Sequence, residues 1–281
     1  MRTQTQFRLG KIRYLNCMPY FFGLEDLLKE KGLEHEVSFF ESYPTAINEA
    51  MQKGEVDAGP ISSLEYLQHQ DEYLLMGPAI GSRIFSRSVL LLSRKKVEDL
   101  DGAAIALSEE SRSSAGLLRI LLKQRYELKV SYETVPQDLE AMLKKYPAAL
   151  VIGDQALFCQ PKEMLYKYDL GEMWQAWTGK PFVFAVWAVR KDFFIMHPEP
   201  VRILSAALRE NLLKNLGDPE ALLRSALKIT PQDHSFCQLL GYLINLHYEL
   251  DEEMKAGLLR FFELAHEEGL VPVPQPLKVI E

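Results

Sequence analysis

The densest chemistry in the chain is Ser111-Arg112-Ser113-Ser114, three hydroxyls and a guanidinium in four consecutive residues. It lies between an apolar stretch, Ala103–Leu107, and a helical one starting near Ser113. Helix N-termini present unpaired N–H groups and partial positive charge, so such a turn suits a carboxylate or a phosphate. Arg112 would add a charge-assisted donor. Serine is also a favoured helix cap, and the residues alone leave capping and anion binding equally open. Ser62-Ser63 repeats the arrangement on a smaller scale. Tyr14-Leu15-Asn16-Cys17-Met18-Pro19 ends a first strand, where open α/β sheets present their ligand loops. Asn16 there offers donor and acceptor, or simply a turn. Cys17 has no His or Asp arranged nearby to activate it and reads as a packed thiol. Ser82, Arg83, Ser86, Arg87 and Ser88 make a cationic, hydroxyl-rich loop. Gly153-Asp154 follows an apolar strand, with Gly153 allowing close backbone approach and Asp154 either capping a helix or orienting a donor. Trp174, Trp177, Trp187, Phe182 and Phe184 provide either core or an apolar wall for a ring.

Other chemistries lack their residues. No HExxH, CxxC, GxGxxG, GxxxxGK[ST] or GxSxG occurs, and the six histidines show no metal-ligand spacing. The net charge of −7 argues against gripping nucleic acid through its phosphates. No apolar run approaches the ~20 residues of a membrane helix, and Met1–Phe7 lacks the apolar region of a signal peptide. Three widely spaced cysteines argue for a reducing compartment. The expectation is a cytoplasmic protein acting on a small molecule, with no nucleic-acid or membrane partner.

The elements that must position these residues alternate in type. Strands are expected at Arg8–Leu15, Glu36–Phe40, Val56–Ile61, Leu74–Ile80 and Val89–Ser93, with helices at Tyr20–Lys29, from Pro44 to Lys53 and at Leu64–His69. A second block repeats the rhythm: Ala103–Leu107, helix Ser113–Tyr126, Ser131–Val135, Asp138–Lys144, Ala148–Ile152. The strand Phe182–Val189 is apolar enough to be buried on both faces. From Pro198 onward only helical periodicity is found, clearest at 250–266, with Pro198, Pro219 and Pro231 at helix starts and Val271–Glu281 as an extended strap. The pattern implies parallel or mixed sheets covered by helices, in two lobes around a cleft. The chain is expected to cross between lobes near Ser93–Arg94 and back near Phe184–Val186. Lobe 1 would then comprise 1–93 with 186–281, and lobe 2 would comprise 94–185.

The stretches KIRYLNCMPYFFGLE, GEVDAGPISSLEY, SRSSAGLL, ALVIGDQAL and YDLGEMWQAWTGKPFVFAVWAVR resemble, in this order, the chorismate dehydratases of the futalosine route to menaquinone (the MqnA family). The resemblance runs from about Leu9 to Arg190. It implies a two-lobed α/β fold of the type II periplasmic-binding-protein kind, with C-terminal helices. It also implies dehydration of chorismate to 3-[(1-carboxyvinyl)oxy]benzoate without metal or organic cofactor. Asn16 and Ser88 would hold the leaving hydroxyl and the enolpyruvyl group. Ser111, Arg112, Ser113 and Ser114 would bind a carboxylate, Ser62 and Ser63 would line the opposite wall, and Gly153, Asp154 and Phe182 would complete the substrate site. Ser113 stands where relatives often carry Thr, which keeps the hydroxyl. No Glu or His stands out as a base, so the substrate's own enolpyruvyl carboxylate is the expected acceptor of the C3 proton. The alternatives are a non-catalytic binder of small organic anions and the sister 1,4-dihydroxy-6-naphthoate synthase, against which the YLN opening argues.

Overall fold

Short segments, the central ones mostly apolar, fold as strands in a computed structural model that describes residues 7–33, 37–160, 165–230 and 234–280. In chain order they are β1 Phe7–Ile12, β2 Val37–Ser42, β3 Ala58–Ser62, β4 Tyr73–Ser82, β5 Val89–Ser93, β6 Ala104–Ser108, β7 Ser131–Val135, β8 Ala148–Ile152, β9 Tyr166–Asp169, β10 Phe182–Arg190 and β11 Leu246–Glu249. Two mixed sheets result. One has the order β11-β4-β10-β3-β1-β2, the other β7-β6-β8-β5-β9. Parallel pairs (β1 with β2 and β3, β6 with β7 and β8) are joined by helical crossovers. β10 runs antiparallel between β3 and β4. Every residue of β3, β5 and β8 is buried, as apolar strands covered on both faces should be.

The division between the sheets differs from the sequence expectation. β5 belongs wholly to the second sheet, paired antiparallel with β8 and β9, so the chain crosses in the polar segment 83–88 and not at Ser93–Arg94. It returns through 179–181, because β10 lies entirely in the first sheet and does not change partner near 184–186. Strands paired within one sheet along their length cannot straddle two sheets; the Ser/Arg-rich loop can.

The expected helix at 20–29 is two, Met18–Phe21 and Leu24–Glu30, parted by Gly23 at φ 77°. The helix at 113 runs to Ile120 and continues as one wider turn, Leu121–Arg125. In the last third, Pro198–Gly217, Glu220–Ala226, Phe236–Leu243 and Glu252–Glu267 are helical, but β11 interrupts them and edges the first sheet. Pro198 starts its helix and Pro219 caps the next; Pro231 lies outside the described residues. The tail strap is held through Leu75, whose N–H donates to Lys278 O and whose carbonyl accepts Ile280 N–H, both at 2.8 Å. Among the described residues no helix is long and apolar enough to cross a membrane.

Candidate active site

Where the carboxyl ends of the first sheet's strands face the second sheet, they enclose a cavity of about 60 Å³. From the first sheet's side Asn16 and Ser62 line it. Ser88, Ser111, Arg112, Ser113, Ser114 and Gly153 line it from the other. Ile12, Val89, Ile152, Phe184 and Leu246 supply the apolar remainder.

Asn16 sits on the tight turn Leu15–Cys17 that follows β1, with Pro19 starting the next helix. Its Oδ1 is buried and has no partner. A native fold rarely leaves such an atom unpaired unless a ligand or water takes it. Leu15 N–H, one residue earlier, donates to Asp154 Oδ1 at 3.0 Å, which ties this turn to the second sheet. Asp154 is thus the donor-orienting residue of the two sequence readings. It does not line the cavity, and its burial raises its pKa from the ordinary 3.8 to about 6. Burial likewise pushes the Cys17 thiol well above its usual range, as a packed thiol requires.

Ser88 ends the crossing segment. Asp169 shapes that segment by accepting five donors: Ser86 N–H and hydroxyl, Arg87 N–H, and the N–H groups of Gly171 and Glu172. The clamp holds Arg87 at φ 60°, a left-handed conformation that costs a non-glycine residue free energy. Gly153 N–H donates to Ser88 O at 2.8 Å. Gly153 itself sits at φ 63°, and a Cβ there would meet the Tyr14 ring at 2.7 Å, so only glycine fits. The Ser88 hydroxyl accepts from Tyr242 Oη at 2.8 Å.

The serine turns meet across the cleft. Ser63 Oγ donates to Val183 O at 2.8 Å, so Ser113 must supply the proton of the 3.0 Å Ser63–Ser113 contact, while Ser113 Oγ accepts Leu64 N–H at 3.1 Å. Arg112 pairs with the Glu65 carboxylate, which is fully buried and also accepts from Gln52 Nε2 at 2.6 Å. Tyr14 donates to Glu110 from the first sheet to the second. These are closure contacts, and the small cavity is their consequence.

Two more expected site residues lie elsewhere. Phe182 is fully buried among Trp174, Phe184 and Phe261; Phe184, two residues on, would share its face in a regular strand, and it lines the cavity at the irregularity in the ladder between Val183 and Ala185. Ser63 is behind the wall, reaching it only through Ser113. Sequence reasoning missed Tyr14, Glu65, Asp169 and Tyr242. Glu65 did leave a signal, since Ser62-x-x-Glu65 has the capping-box spacing. Ser62 Oγ does cap Glu65 N–H, but Ser62 N–H goes to Asn48, which frees the Glu65 carboxylate for Arg112.

A family model described as menaquinone biosynthesis matches residues 7–267. The chain is 32% identical to the chorismate dehydratase of Thermus thermophilus, an alignment covering 91% of this chain and 93% of that protein. The chain belongs to the menaquinone-biosynthesis family. A chorismate dehydratase from Campylobacter jejuni is 25% identical over 63% of this chain and 64% of its own length. In solved structures, a protein from Archaeoglobus fulgidus superposes with a TM-score of 0.77 at 18% identity, covering 96% of this chain and 100% of that one. The aliphatic sulphonate binding protein SsuA of Escherichia coli gives 0.66 at 16% identity over 98% and 94%. The chain therefore has the two-lobed fold of periplasmic binding proteins.

Proposed function

We propose that the protein is a chorismate dehydratase, a hydro-lyase that converts chorismate to 3-[(1-carboxyvinyl)oxy]benzoate and water for menaquinone synthesis in the cytoplasm. The observation that carries this reading is the near full-length kinship with the Thermus thermophilus enzyme. The cavity supports it chemically. Chorismate is a dianion with an alcohol and an enol ether, and the walls offer hydroxyl, amide and backbone donors plus one arginine. The ring C3–H and C4–O bonds break, a C3–C4 double bond forms, and the ring becomes aromatic, so the overall step runs downhill. The protein has to orient the diacid and stabilise the departing hydroxide. Orientation is worth roughly 7–11 kcal/mol in favourable cases, and each donor aimed at developing charge about 3–4 kcal/mol.

In this reading Asn16 meets the C4 hydroxyl, accepting its hydrogen bond on the Oδ1 that nothing else occupies and donating from Nδ2 to the departing oxygen, and Ser88 donates to the enolpyruvyl group. The helix start at Ser111–Ser114 takes a carboxylate once the lobes part, since Ser113 is occupied by Leu64 N–H while they are closed. The enolpyruvyl carboxylate accepts the C3 proton and passes it to the leaving hydroxide. The test is incubation of purified protein with chorismate, followed by mass and ultraviolet spectra. A product lighter by one water, with benzoate absorbance, is expected. Binding without turnover returns the reading to an organic-anion binder; no binding at all removes the reading.

A further inference from the structure

Behind Ser88, away from the cavity, stands Tyr242, on the helix Phe236–Leu243 in the C-terminal third. Tyr242 is 1% exposed and Ser88 3%. Their oxygens are 2.8 Å apart, though the residues lie 154 positions apart in sequence. The contact is held from both sides. Ser235 and Gln238 close a capping box that fixes the start of the helix. Just past its end, Asn245 Nδ2 donates to Phe85 O at 2.6 Å, and Arg87 Nη1 reaches Gly241 O at 3.5 Å. The helix is therefore laced to the segment that presents Ser88.

The order of protons follows from acidity. A phenol is a stronger donor than an aliphatic alcohol, and burial holds Tyr242 in its neutral, donating form. Tyr242 thus fills one lone pair of Ser88 Oγ. The Ser88 proton then has the Ser86 carbonyl, at a long 3.4 Å, or an oxygen inside the cavity. A hydroxyl that accepts a hydrogen bond donates a stronger one in a low-dielectric surrounding.

We propose that Tyr242 is a positioning residue of the reaction: donating from behind, it fixes the Ser88 hydroxyl as a polarised donor toward the substrate's enolpyruvyl oxygen. This rests on the dehydratase reading above. Steady-state kinetics with chorismate on the full chain tests it. Tyr242→Phe should lower kcat about tenfold and leave KM within about twofold, because the missing bond is felt most where charge develops. Ser88→Ala should lose roughly a hundredfold. Ser88→Ala/Tyr242→Phe should match Ser88→Ala within about twofold, since Tyr242 acts only through Ser88. A purely structural tyrosine would instead multiply its loss onto the Ser88→Ala background. Wild-type kcat in Tyr242→Phe, or multiplying losses in the double variant, overturns the inference. Should the single variant fail to fold, the double variant leaves no unpaired buried donor, and its comparison with Ser88→Ala decides. Wild-type protein without turnover sinks the dehydratase reading and this inference together, whereas wild-type turnover beside an unaffected Tyr242→Phe sinks the inference alone.

Discussion

The two serine turns that face each other across the cleft look alike in sequence and do different work. At Ser62-Ser63 the lone pairs of Ser62 and the proton of Ser63 are taken up on the first sheet's side. Ser62 caps Glu65 N–H at 3.1 Å and accepts from Asn48 Nδ2 at 3.3 Å, and Ser63 donates to Val183 O. At Ser111–Ser114 only Ser111 acts locally, accepting Ser114 N–H at 3.2 Å, while Ser113 reaches over to the opposite turn. The first turn is a seat and the second is what sits on it. A hydroxyl at a helix start can serve a ligand only insofar as the fold has not already used it. By that measure Asn16, with a buried and unpaired Oδ1, is free to meet a ligand.

The largest effect should follow from removing that group. Asn16→Ala is expected to lower kcat on chorismate by about 10²–10³ with little change in melting temperature, since the lost atom has no partner in the unliganded fold. Near wild-type kcat in the variant would break the contrast between used and unused polar groups.

Next comes the pair that holds the turns together. Glu65 is wholly buried, whereas the Arg112 side chain is 42% exposed, so Glu65→Gln leaves no stranded interior charge. The amide oxygen of the variant would still accept from Gln52. A loss of about 1–2 kcal/mol in urea unfolding and a larger radius of gyration in small-angle scattering are expected. An unchanged radius would show that the Arg112 pair does not hold the lobes shut.

How much of this was legible beforehand depended on reach. Sheet type, strand positions and the polar cluster follow from periodicity and from residues close in sequence. β9 and β11 did not, because four residues each, Tyr166–Asp169 and Leu246–Glu249, give too short an alternation to register. The crossing at 83–88 was misplaced because an apolar strand and the loop before it carry no mark of which sheet they join. The resemblance pointed to Phe182 and not Phe184 because the two share a face in a regular strand, and the irregularity between Val183 and Ala185 that separates them leaves no mark in the sequence. Asp169 lies 83 residues from Ser86, and Tyr242 lies 154 from Ser88, so their roles exist only in the folded chain. The resemblance brought Asn16 and Ser88 together; the residues that brace them had to be found by their partners.

A pH-dependent effect concerns the second link between the sheets, Leu15 N–H to Asp154. Asp154 titrates near 6 in the fold because burial disfavours its charge. Its neighbours Tyr14, Cys17 and Tyr242 are themselves held neutral by burial. A carboxyl with a raised folded pKa binds its proton more tightly in the fold than in the unfolded chain. Its contribution is therefore full below about pH 4 and is lost as pH rises to about 6, by at most about 3 kcal/mol. Asp154→Asn keeps an acceptor for Leu15 and removes the titration. The variant should match wild type at pH 4 and melt higher at pH 7. Parallel melting curves at the two pH values would show that Asp154 is solvated and that this link is weaker than its geometry suggests.

The smallest effect sharpens the comparison at its origin. If Ser62 is spent as a cap, Ser62→Ala should cost about 1 kcal/mol in urea unfolding, the usual loss when a helix start forfeits its acceptor. Ser62→Thr should restore most of it, because threonine keeps the oxygen that Glu65 N–H needs. A ligand-binding role predicts the opposite division, with stability unmoved and KM for chorismate raised in Ser62→Ala. Measured together, stability and KM decide whether a serine that touches the cavity wall belongs to the fold or to the substrate. The bonds from Glu65 N–H and Asn48 Nδ2 give its oxygen to the fold and leave only its proton for the cavity.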